Sequence, residues 1–338
     1  MSQPPYPFLF RPVYKPYPWG GDRFARLLGR ALPPDPCAES WEIADRPEGM
    51  SILTNGPLAG RTLRDLVREL GPALLGDASR AERFPLLVKL IDARERTSLQ
   101  VHPDEEGARR VGGEAKAEFW YALEGTRDAR VFAGLAPGIN RAAFEVALAE
   151  RRLEPALREI PIRAGEAVSI PGGRMHAIDA GCFLYEVQQS SDTTYRVYDW
   201  ERRDGSGRLR PLHLAQALAV TRWDDPGPQI LRPRPLRVEG ANVLWEIYQS
   251  AHFHIRRLTL SNRFELSTER RGFQILFVEQ GRVIVSGGGS KVELPAGTSC
   301  LLPAALGAYT LTAPAPERAA LLITQPGSGS AGGSPADG

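Results

Sequence analysis

Polar and apolar residues alternate between positions 98 and 102, which is the pattern of a strand with one buried face. Ser98, Gln100 and His102 lie on one side of this predicted strand. Pro103 favours an extended conformation for His102 and ends the strand soon afterwards. One short wall thus carries a hydroxyl, an amide and an imidazole, which could bind a metal ion or a polar ligand. A polar strand face in water is the alternative that this stretch alone leaves open.

A second histidine stands in a spacing typical of one β-barrel superfamily. Five, one and two residues separate Gly165, Pro171, Gly173 and His176. This spacing matches the second sequence motif of the cupin barrel. The surrounding run predicts a turn, a strand, a tight turn and another strand. His176 is therefore a candidate metal ligand.

Two further alternating stretches add charged groups. Residues 116–125 put Lys116 and Glu118 on one strand face, and residues 183–190 form a strand that carries Glu186. In a barrel, inward-facing residues from separate strands can converge on one point.

The chain contains an internal repeat. Gly297 and Pro303 repeat the beginning of the cupin motif, and the segment 274–281 aligns with the segment 118–125. We therefore expect a mainly β fold with two related cupin-type, or jelly-roll, barrels.

The second copy lacks both candidate ligands. Gln274 aligns with Glu118, and Ala308 stands where His176 would be. We expect a metal site in the first barrel and none in the second.

Helical periods interrupt the strands over residues 62–76, 140–158 and 212–220. The first barrel copy has more sequence between its motifs than the second copy does. The predicted helix over 140–158 occupies this extra sequence, so it is a helical insertion. We predict a catalytic metal-binding cupin domain over residues 1–235, a C-terminal cupin-like barrel without the metal site over 236–325, and a Gly- and Ser-rich disordered tail over 326–338.

Composition excludes several classes of partner. The chain has 338 residues, of which 42% are hydrophobic, and 42 basic residues balance 40 acidic ones to a net charge of +2. This balance gives no reason to expect nucleic acid or an anionic membrane as a partner. Three distant cysteines and the lack of a signal-peptide pattern or a membrane-spanning run indicate the cytoplasm.

The candidate ligands form a chemically consistent set. Two imidazoles, a carboxylate and an amide oxygen come from Gln100, His102, Glu118 and His176. This set suits zinc or another first-row divalent ion that keeps an open coordination position. The other three histidines lack such a context, and we interpret them as structural or surface residues.

Taken in order, these motifs and several more resemble the type I mannose-6-phosphate isomerases (phosphomannose isomerases) of the short bacterial kind, in the cupin superfamily. The resemblance extends from about residue 14 to the end of the second barrel. It rests on Tyr14-Lys15-Pro16, Trp19-Gly20-Gly21, Glu39-Ser40-Trp41-Glu42, the run 84–89, Gln100-Val101-His102-Pro103-Asp104, the run 116–121, the run 171–177 and the run 189–200. The segment Thr97-Ser98-Leu99 departs from the family's more frequent Leu-Ser-Val and leaves the ligand register intact.

The resemblance implies an aldose–ketose isomerase that interconverts mannose 6-phosphate and fructose 6-phosphate. It implies one zinc ion held by His102, Glu118 and His176, with Gln100 as fourth ligand. It also implies an active-site arginine, Arg196, and further residues around the sugar phosphate, namely Ser98, Lys89, Lys116 and Glu186.

The chemistry of such a reaction fits these residue types. Moving a proton between C2 and C1 passes through an enediol or enediolate, so an electrophile and a general base are needed. Arg196 can neutralise the enediolate or hold substrate oxygens. Cations and hydroxyls for the phosphate are available from Lys89, Lys116, Ser98 and Arg196. The base is left open among metal-bound water, Glu186 and Lys116.

Two other functions stay compatible with the sequence. A different metal-dependent cupin enzyme, such as a dioxygenase, would use iron. The other is a non-catalytic sugar-phosphate-binding protein. The intact candidate residues at the metal and Arg196 positions argue against it. The expected ligand is a small sugar phosphate, and the sequence indicates no protein partner.

Overall fold

The structure is a computed structural model that describes residues 5–33, 36–78, 81–203 and 207–327. β-Strands predominate along the described chain, so the predicted mainly β class is confirmed. No helix in these ranges is long and apolar enough to cross a membrane.

The first strands of the chain are short: β1 (Phe10–Arg11), β2 (Val13–Lys15), β3 (Glu39–Ile43), β4 (Asp45–Arg46), β5 (Gly49–Met50) and β6 (Ile52–Leu53). A second group follows: β7 (Leu86–Ala93), β8 (Leu99–Val101), β9 (Glu118–Gly125), β10 (Arg130–Leu135), β11 (Leu157–Pro161), β12 (Ala167–Ile170), β13 (His176–Ile178), β14 (Cys182–Gln189) and β15 (Tyr195–Tyr198). The third group is β16 (Arg234–Glu239), β17 (Asn242–Gln249), β18 (Phe253–Leu260), β19 (Arg263–Ser267), β20 (Gln274–Gln280), β21 (Arg282–Gly287), β22 (Ser290–Pro295), β23 (Ser299–Leu302), β24 (Ala308–Thr312) and β25 (Ala319–Pro326).

The helices are short and lie between the strands. They are α1 (Arg23–Arg26), α2 (Leu63–Leu70), α3 (Pro72–Leu75), α4 (Glu105–Val111), α5 (Arg141–Ala149) and α6 (Leu214–Val220), with 3₁₀ turns at Glu154–Ala156 and Ala304–Leu306.

The chain forms two compact units. The first barrel unit comprises residues 14–40 and 89–231, and the second barrel unit comprises residues up to 13, 41–88 and from 232 onward. The functional division predicted at residues 235 and 236 stays a prediction. The predicted tail lies outside the described residues from position 328 onward.

Two antiparallel sheets enclose the core of the first barrel unit. One has the order β11-β10-β13-β8-β15, and the other contains the order β12-β9-β14-β7. Side chains from both sheets meet in one buried apolar cluster, to which the second sheet contributes Trp120 and Leu184 and the first contributes Val131 and Ile178. This layered packing is what strand alternation predicts when each sheet buries one face.

Helices cover the outer face of the first sheet. Leu99 and Val101 of β8 pack in a cluster that also contains Phe144 of α5 and Val220 of α6. Because successive side chains of a strand point to opposite faces, Gln100 between them points to the inside. The predicted alternation at β8 is therefore confirmed.

An ion cluster fixes the end of β13. Asp179 accepts hydrogen bonds from Arg96 Nε at 2.7 Å and Nη2 at 3.1 Å, and from Arg130 Nε at 2.7 Å. Burial opposes ionisation, but these guanidinium groups outweigh it and lower the pKa of Asp179. Since Arg96 precedes β8 and Asp179 follows β13, the cluster ties together the two strands that carry Gln100 and His176.

The second barrel unit has a similar pair of sheets. Their orders are β16-β17-β18-β25-β20-β23 and β19-β24-β21-β22. A buried cluster between them contains Leu258, Leu276 and Leu321 from one sheet and Val285 and Leu311 from the other. Both predicted barrels thus have an apolar interior of their own.

The predicted helices differ from the observed ones in length. The helix expected over 62–76 begins after a capping box at Thr62 and is divided into α2 and α3 at Gly71, whose φ is 45°. The one expected over 140–158 ends at Ala149, because Arg151 adopts a φ of 57° and Pro155 lies in a 3₁₀ turn. The helix expected over 212–220 begins at Leu214 and ends at Val220.

Candidate active site

Neighbouring strands bring the candidate metal ligands to one end of the first barrel interior. Gln100 of β8 lies directly opposite His176 of β13 in the sheet register. Glu118 begins β9 in the facing sheet, opposite Gln188 of β14. His102 follows β8 by one residue, so it lies on the same side of the chain as Gln100.

Three of these side chains form a compact buried group. Their ligand atoms lie within 4.8 Å of one another, and none of the three residues is more than 2% exposed: His102, Glu118 and His176. The Nε2 atom of His102 lies 3.1 Å from Glu118 Oε1, and the Nε2 atom of His176 lies 3.6 Å from Glu118 Oε2. We call this group the His–Glu–His cluster.

The protonation states of the cluster suit a metal ion. Burial, assisted by the nearby Lys116 charge, lowers the pKa of His102 to about 3. Burial also lowers the pKa of His176. Burial alone would raise the pKa of Glu118, but Lys116 and the contacts with His102 and His176 together outweigh it and hold that pKa well below its ordinary value. Two neutral imidazoles and one carboxylate are the forms that coordinate a metal.

Unpaired buried atoms point to the same conclusion. Among the described residues, the ring nitrogens of His102 and the Oε2 atom of Glu118 have no hydrogen-bond partner. Leaving buried polar atoms unpaired is costly unless something else binds them. The Nδ1 atom of His176 lies 2.8 Å from Arg174 O, so it carries the proton and leaves a lone pair on Nε2. These residues therefore fit a divalent metal ion.

Gln100 borders this cluster. Its Nε2 atom lies 3.3 Å from His176 Nε2, and its Oε1 atom accepts a hydrogen bond from Ser98 Oγ at 3.4 Å. A carboxamide can turn by 180° and exchange these two atoms. Gln100 is thus within reach as a further ligand, and Ser98 lines the same cavity.

Lysines and a glutamate form a second layer of charge. Lys116 Nζ lies 3.1 Å from Glu118 Oε1, and Lys89 Nζ lies 3.2 Å from Glu186 Oε1. Trp120 Nε1 donates a hydrogen bond of 2.8 Å to the other oxygen of Glu186. Lys89, the lone charge of the apolar run 84–91, is therefore paired in the interior and does not extend to the surface.

These charges act on one another. Burial opposes protonation of Lys89, but the carboxylates of Glu39 and Glu186 raise its pKa. Burial, assisted by the Glu118 carboxylate, raises the pKa of Glu186 to about 7 despite the two lysines. Lys89 is thus a permanent cation, whereas Glu186 can hold or release a proton near neutral pH.

Two arginines lie on the opposite wall of the cavity. Arg196 of β15 points away from Tyr195 and Val197, which are in the core, and its Nη1 donates to Pro211 O at 3.0 Å. Its buried Nε has no partner among the described residues. Arg210 is held by Asp199 through two hydrogen bonds, one of them 2.7 Å long from Nε. Arg196 thus does not pair with Asp199 and faces the cavity.

The cavity has a volume of about 310 Å³, which matches small-molecule sites in size. Every sequence-predicted site residue except the two histidines is among those that line it, and the histidines contact the lining residue Glu118. Sequence reasoning missed Glu39, Arg210 and the stacked pair Tyr17 and Trp19, which line it as well. The Glu39-Ser40-Trp41-Glu42 motif was a signal for Glu39.

The second barrel unit has a different interior at the corresponding position. Ala308 is exposed, and Tyr309 points inward and donates its hydroxyl proton to Gln274 Oε1. The alignment of Ala308 with His176 is therefore wrong by one residue, because the 3₁₀ turn Ala304–Leu306 changes the register after Pro303. Within the described residues, the His–Glu–His cluster is the one group that could hold a metal ion.

Comparison with known proteins places these features in a family context. A family model for the phosphomannose isomerase type I catalytic domain matches residues 8–130. Mannose-6-phosphate isomerase ManA of Bacillus subtilis is 32% identical over 312 residues, which cover 90% of this chain and 95% of that protein. A mannose-6-phosphate isomerase of Streptococcus mutans is 38% identical over 203 residues, or 60% of this chain and 63% of that protein. The crystal structure of the mannose 6-phosphate isomerase from Bacillus subtilis superimposes with a TM-score of 0.85, at 28% identity, over 94% of this chain and 99% of the other.

Removing either histidine should release the metal without unfolding the chain. We expect His102→Ala and His176→Ala to lose at least nine-tenths of the bound divalent metal, on the order of the ten- to hundredfold loss seen even for outer-shell partners. Metal content by mass spectrometry and melting temperature are the readouts. His254→Ala is the matched control, since His254 pairs with Glu246 in the second barrel unit. Full metal occupancy in a folded His102 or His176 variant would remove that residue from the site.

Proposed function

The chain belongs to the type I mannose-6-phosphate isomerase family, and from this premise we propose that it interconverts mannose 6-phosphate and fructose 6-phosphate in the cavity bordered by the His–Glu–His cluster. The observation that carries the proposal is the combination, in one cavity, of a metal-type cluster, a glutamate that titrates near neutrality and two arginines. The comparisons support this isomerase over the dioxygenase or the non-catalytic binding protein.

We propose that the resident metal is a single zinc ion, held by His102, Glu118 and His176 with the amide oxygen of Gln100 as fourth ligand. Nitrogen and carboxylate donors with an open position are typical of catalytic zinc. When bound, zinc would polarise substrate oxygens and stabilise developing negative charge. Lys116, whose Nζ lies 3.1 Å from Glu118 Oε1, helps to orient that carboxylate.

The phosphate group would bind to the arginine wall. Arg196 and Arg210 provide planar guanidinium groups suited to phosphate oxygens, and Asp199 holds Arg210 in place. Ser98 and Lys89 can contact the remaining sugar and phosphate oxygens. Arg196 could also stabilise the enediolate. The kinetics of Arg196→Lys, described below, distinguish this role from phosphate binding.

Glu186 is the group best suited to move the proton between C2 and C1. An acid–base catalyst works best when its pKa lies near the working pH. Lys89 and Trp120 fix both oxygens of Glu186 in the cavity wall. Lys89 itself stays protonated and so cannot act as the base. We propose Glu186 as the proton carrier, held in place by its ion pair with Lys89.

The cytoplasmic location expected from the sequence stays a prediction.

A coupled assay tests the proposed function directly. Purified metal-loaded protein should form fructose 6-phosphate from mannose 6-phosphate, and addition of a chelator should abolish the activity. Unphosphorylated mannose is the control, because the arginine wall would have no phosphate to bind. A protein that is loaded with zinc, cobalt or manganese and still gives no turnover would contradict the proposal.

The kinetics of Arg196→Lys separate transition-state stabilisation from simple binding. This change keeps the charge and loses the planar fork, so we expect kcat to fall on the order of a hundredfold, as when one oxyanion donor is removed. Metal content and melting temperature should stay unchanged. Arg202→Lys is the matched control, since Arg202, like Arg210, pairs with Asp199 but does not line the cavity. If Arg196→Lys changes KM alone, its catalytic role must be withdrawn.

The pH dependence of kcat reports on Glu186. A base must be ionised to accept a proton, so kcat should rise with pH through a midpoint above the ordinary glutamate value of 4.5. Glu186→Gln should lower kcat by roughly 10²- to 10⁴-fold and remove this acidic limb. Metal content serves as the control for intact folding of the site. An unchanged acidic limb in the variant would assign the titration to another group.

A further inference from the structure

The interior of the second barrel unit contains an arginine that the proposed function does not use. Arg256 of β18 lies on the same strand face as Leu258 and Leu260, which are part of the buried core. Its partners in the sheet register are Ile323 of β25, another core residue, and Glu246 of β17. The Nε atom of Arg256 is buried, and none of the described residues forms a hydrogen bond or ion pair with this guanidinium.

The corresponding cation of the first barrel unit has a carboxylate partner. The strand orders β9-β14-β7 and β20-β25-β18 are equivalent, with Glu186 opposite Trp120 in the first and Ile323 opposite Leu276 in the second. Lys89, in contact with Glu186, therefore corresponds to Arg256. The second barrel thus has a half-buried cation at this position and an apolar side chain in place of its acid.

Nearby carboxylates do not replace that acid. Glu246 pairs with Arg234 at 2.5 Å and with His254 at 3.2 Å, and Glu269 lies 3.9 Å from Arg271. Burial lowers the pKa of Arg256, while Tyr309, Glu269 and Glu246 oppose this shift. A half-buried guanidinium whose buried Nε has no partner is a costly arrangement unless an anion joins it.

Arg256 also borders a cavity of about 430 Å³ within the second barrel unit. Gln325 and the exposed Arg271 also line it, together with two exposed acidic residues, Asp77 and Glu269. This volume lies within the usual range for small-molecule sites.

We propose that this cavity binds a small metabolite through its oxyanion, a phosphate or a carboxylate, with the guanidinium of Arg256 as the principal partner. The planar guanidinium matches both groups and can form two parallel hydrogen bonds to either. The exposed Asp77 weakens binding by repulsion, so it limits affinity without contacting the anion.

Methyl NMR of the full-length protein tests the proposal site by site. The isoleucine δ1 methyl groups are labelled, and Ile323 and Ile178 are assigned by valine substitution. Ile323 reports on the second barrel, and Ile178 lines the candidate active site. Inorganic phosphate and succinate are titrated separately, against sodium chloride at equal ionic strength. We expect a saturable shift of Ile323 with phosphate, with succinate or with both, and the effective ion identifies the oxyanion.

Three variants make the result specific. Arg256→Met should weaken anion binding at Ile323 at least tenfold, on the scale of a lost charge-assisted hydrogen bond. Arg256→Lys, the alternative should the methionine variant fail to fold, should weaken it less. Asp77→Asn should strengthen it roughly twofold, as expected for one exposed charge. Isomerase activity should be the same in all three.

The proposal is overturned if Ile323 responds no more to phosphate or succinate than to sodium chloride. It is equally overturned if Ile323 shifts with the same affinity in wild type and a folded Arg256→Met variant. Both results would leave the proposed isomerase function untouched, because that function is measured in the other barrel.

Discussion

The buried carboxylate of Glu118 is the constraint on which the rest of the site depends. An ionised carboxylate that is 2% exposed needs positive charge close by, and Lys116 Nζ lies 3.1 Å from it. The two imidazoles beside it are held neutral by burial, so their lone pairs add electron density to the same small space. A divalent cation can bind all of these donor atoms at once. Strands from both sheets supply the donors, so they have to meet at this end of the barrel.

The remaining charges of the cavity follow from this arrangement. Burial and the nearby Glu118 carboxylate raise the pKa of Glu186, and the ion pair with Lys89 keeps Glu186 inside the barrel. The same strands continue into the apolar cluster around Trp120 and Leu184, so the polar groups lie at one end of a dry core. Water is thereby excluded from one side of the site, where electrostatic interactions are stronger than in solution. The second barrel keeps the scaffold, but Tyr309 and Gln274 satisfy each other where the first barrel has a histidine and a glutamate.

Much of the fold and the cluster could be predicted from the sequence, because strand alternation and the cupin spacing are local signals. The faces of β8 and β9 and the start of α2 at Thr62 are examples. What could not be predicted depends on distant contacts. Arg210 lines the cavity because Asp199 holds it there. Helix α4 has a polar sequence with no apolar period, so its N-cap Asp104 was the sole sequence signal for a helix. The true counterpart of His176 was missed because a 3₁₀ turn shifts the register by one residue.

We propose that one metal ion, bound by the His–Glu–His cluster, makes the first barrel catalytic and that the second barrel binds none. Anomalous X-ray diffraction at the zinc absorption edge, from crystals of the active protein, can locate the metal. We expect one strong anomalous peak per chain, within coordination distance of His102, Glu118 and His176, and no peak beside Gln274. A peak elsewhere, or fully active protein without a peak at the cluster at the edge of any first-row metal, would contradict it.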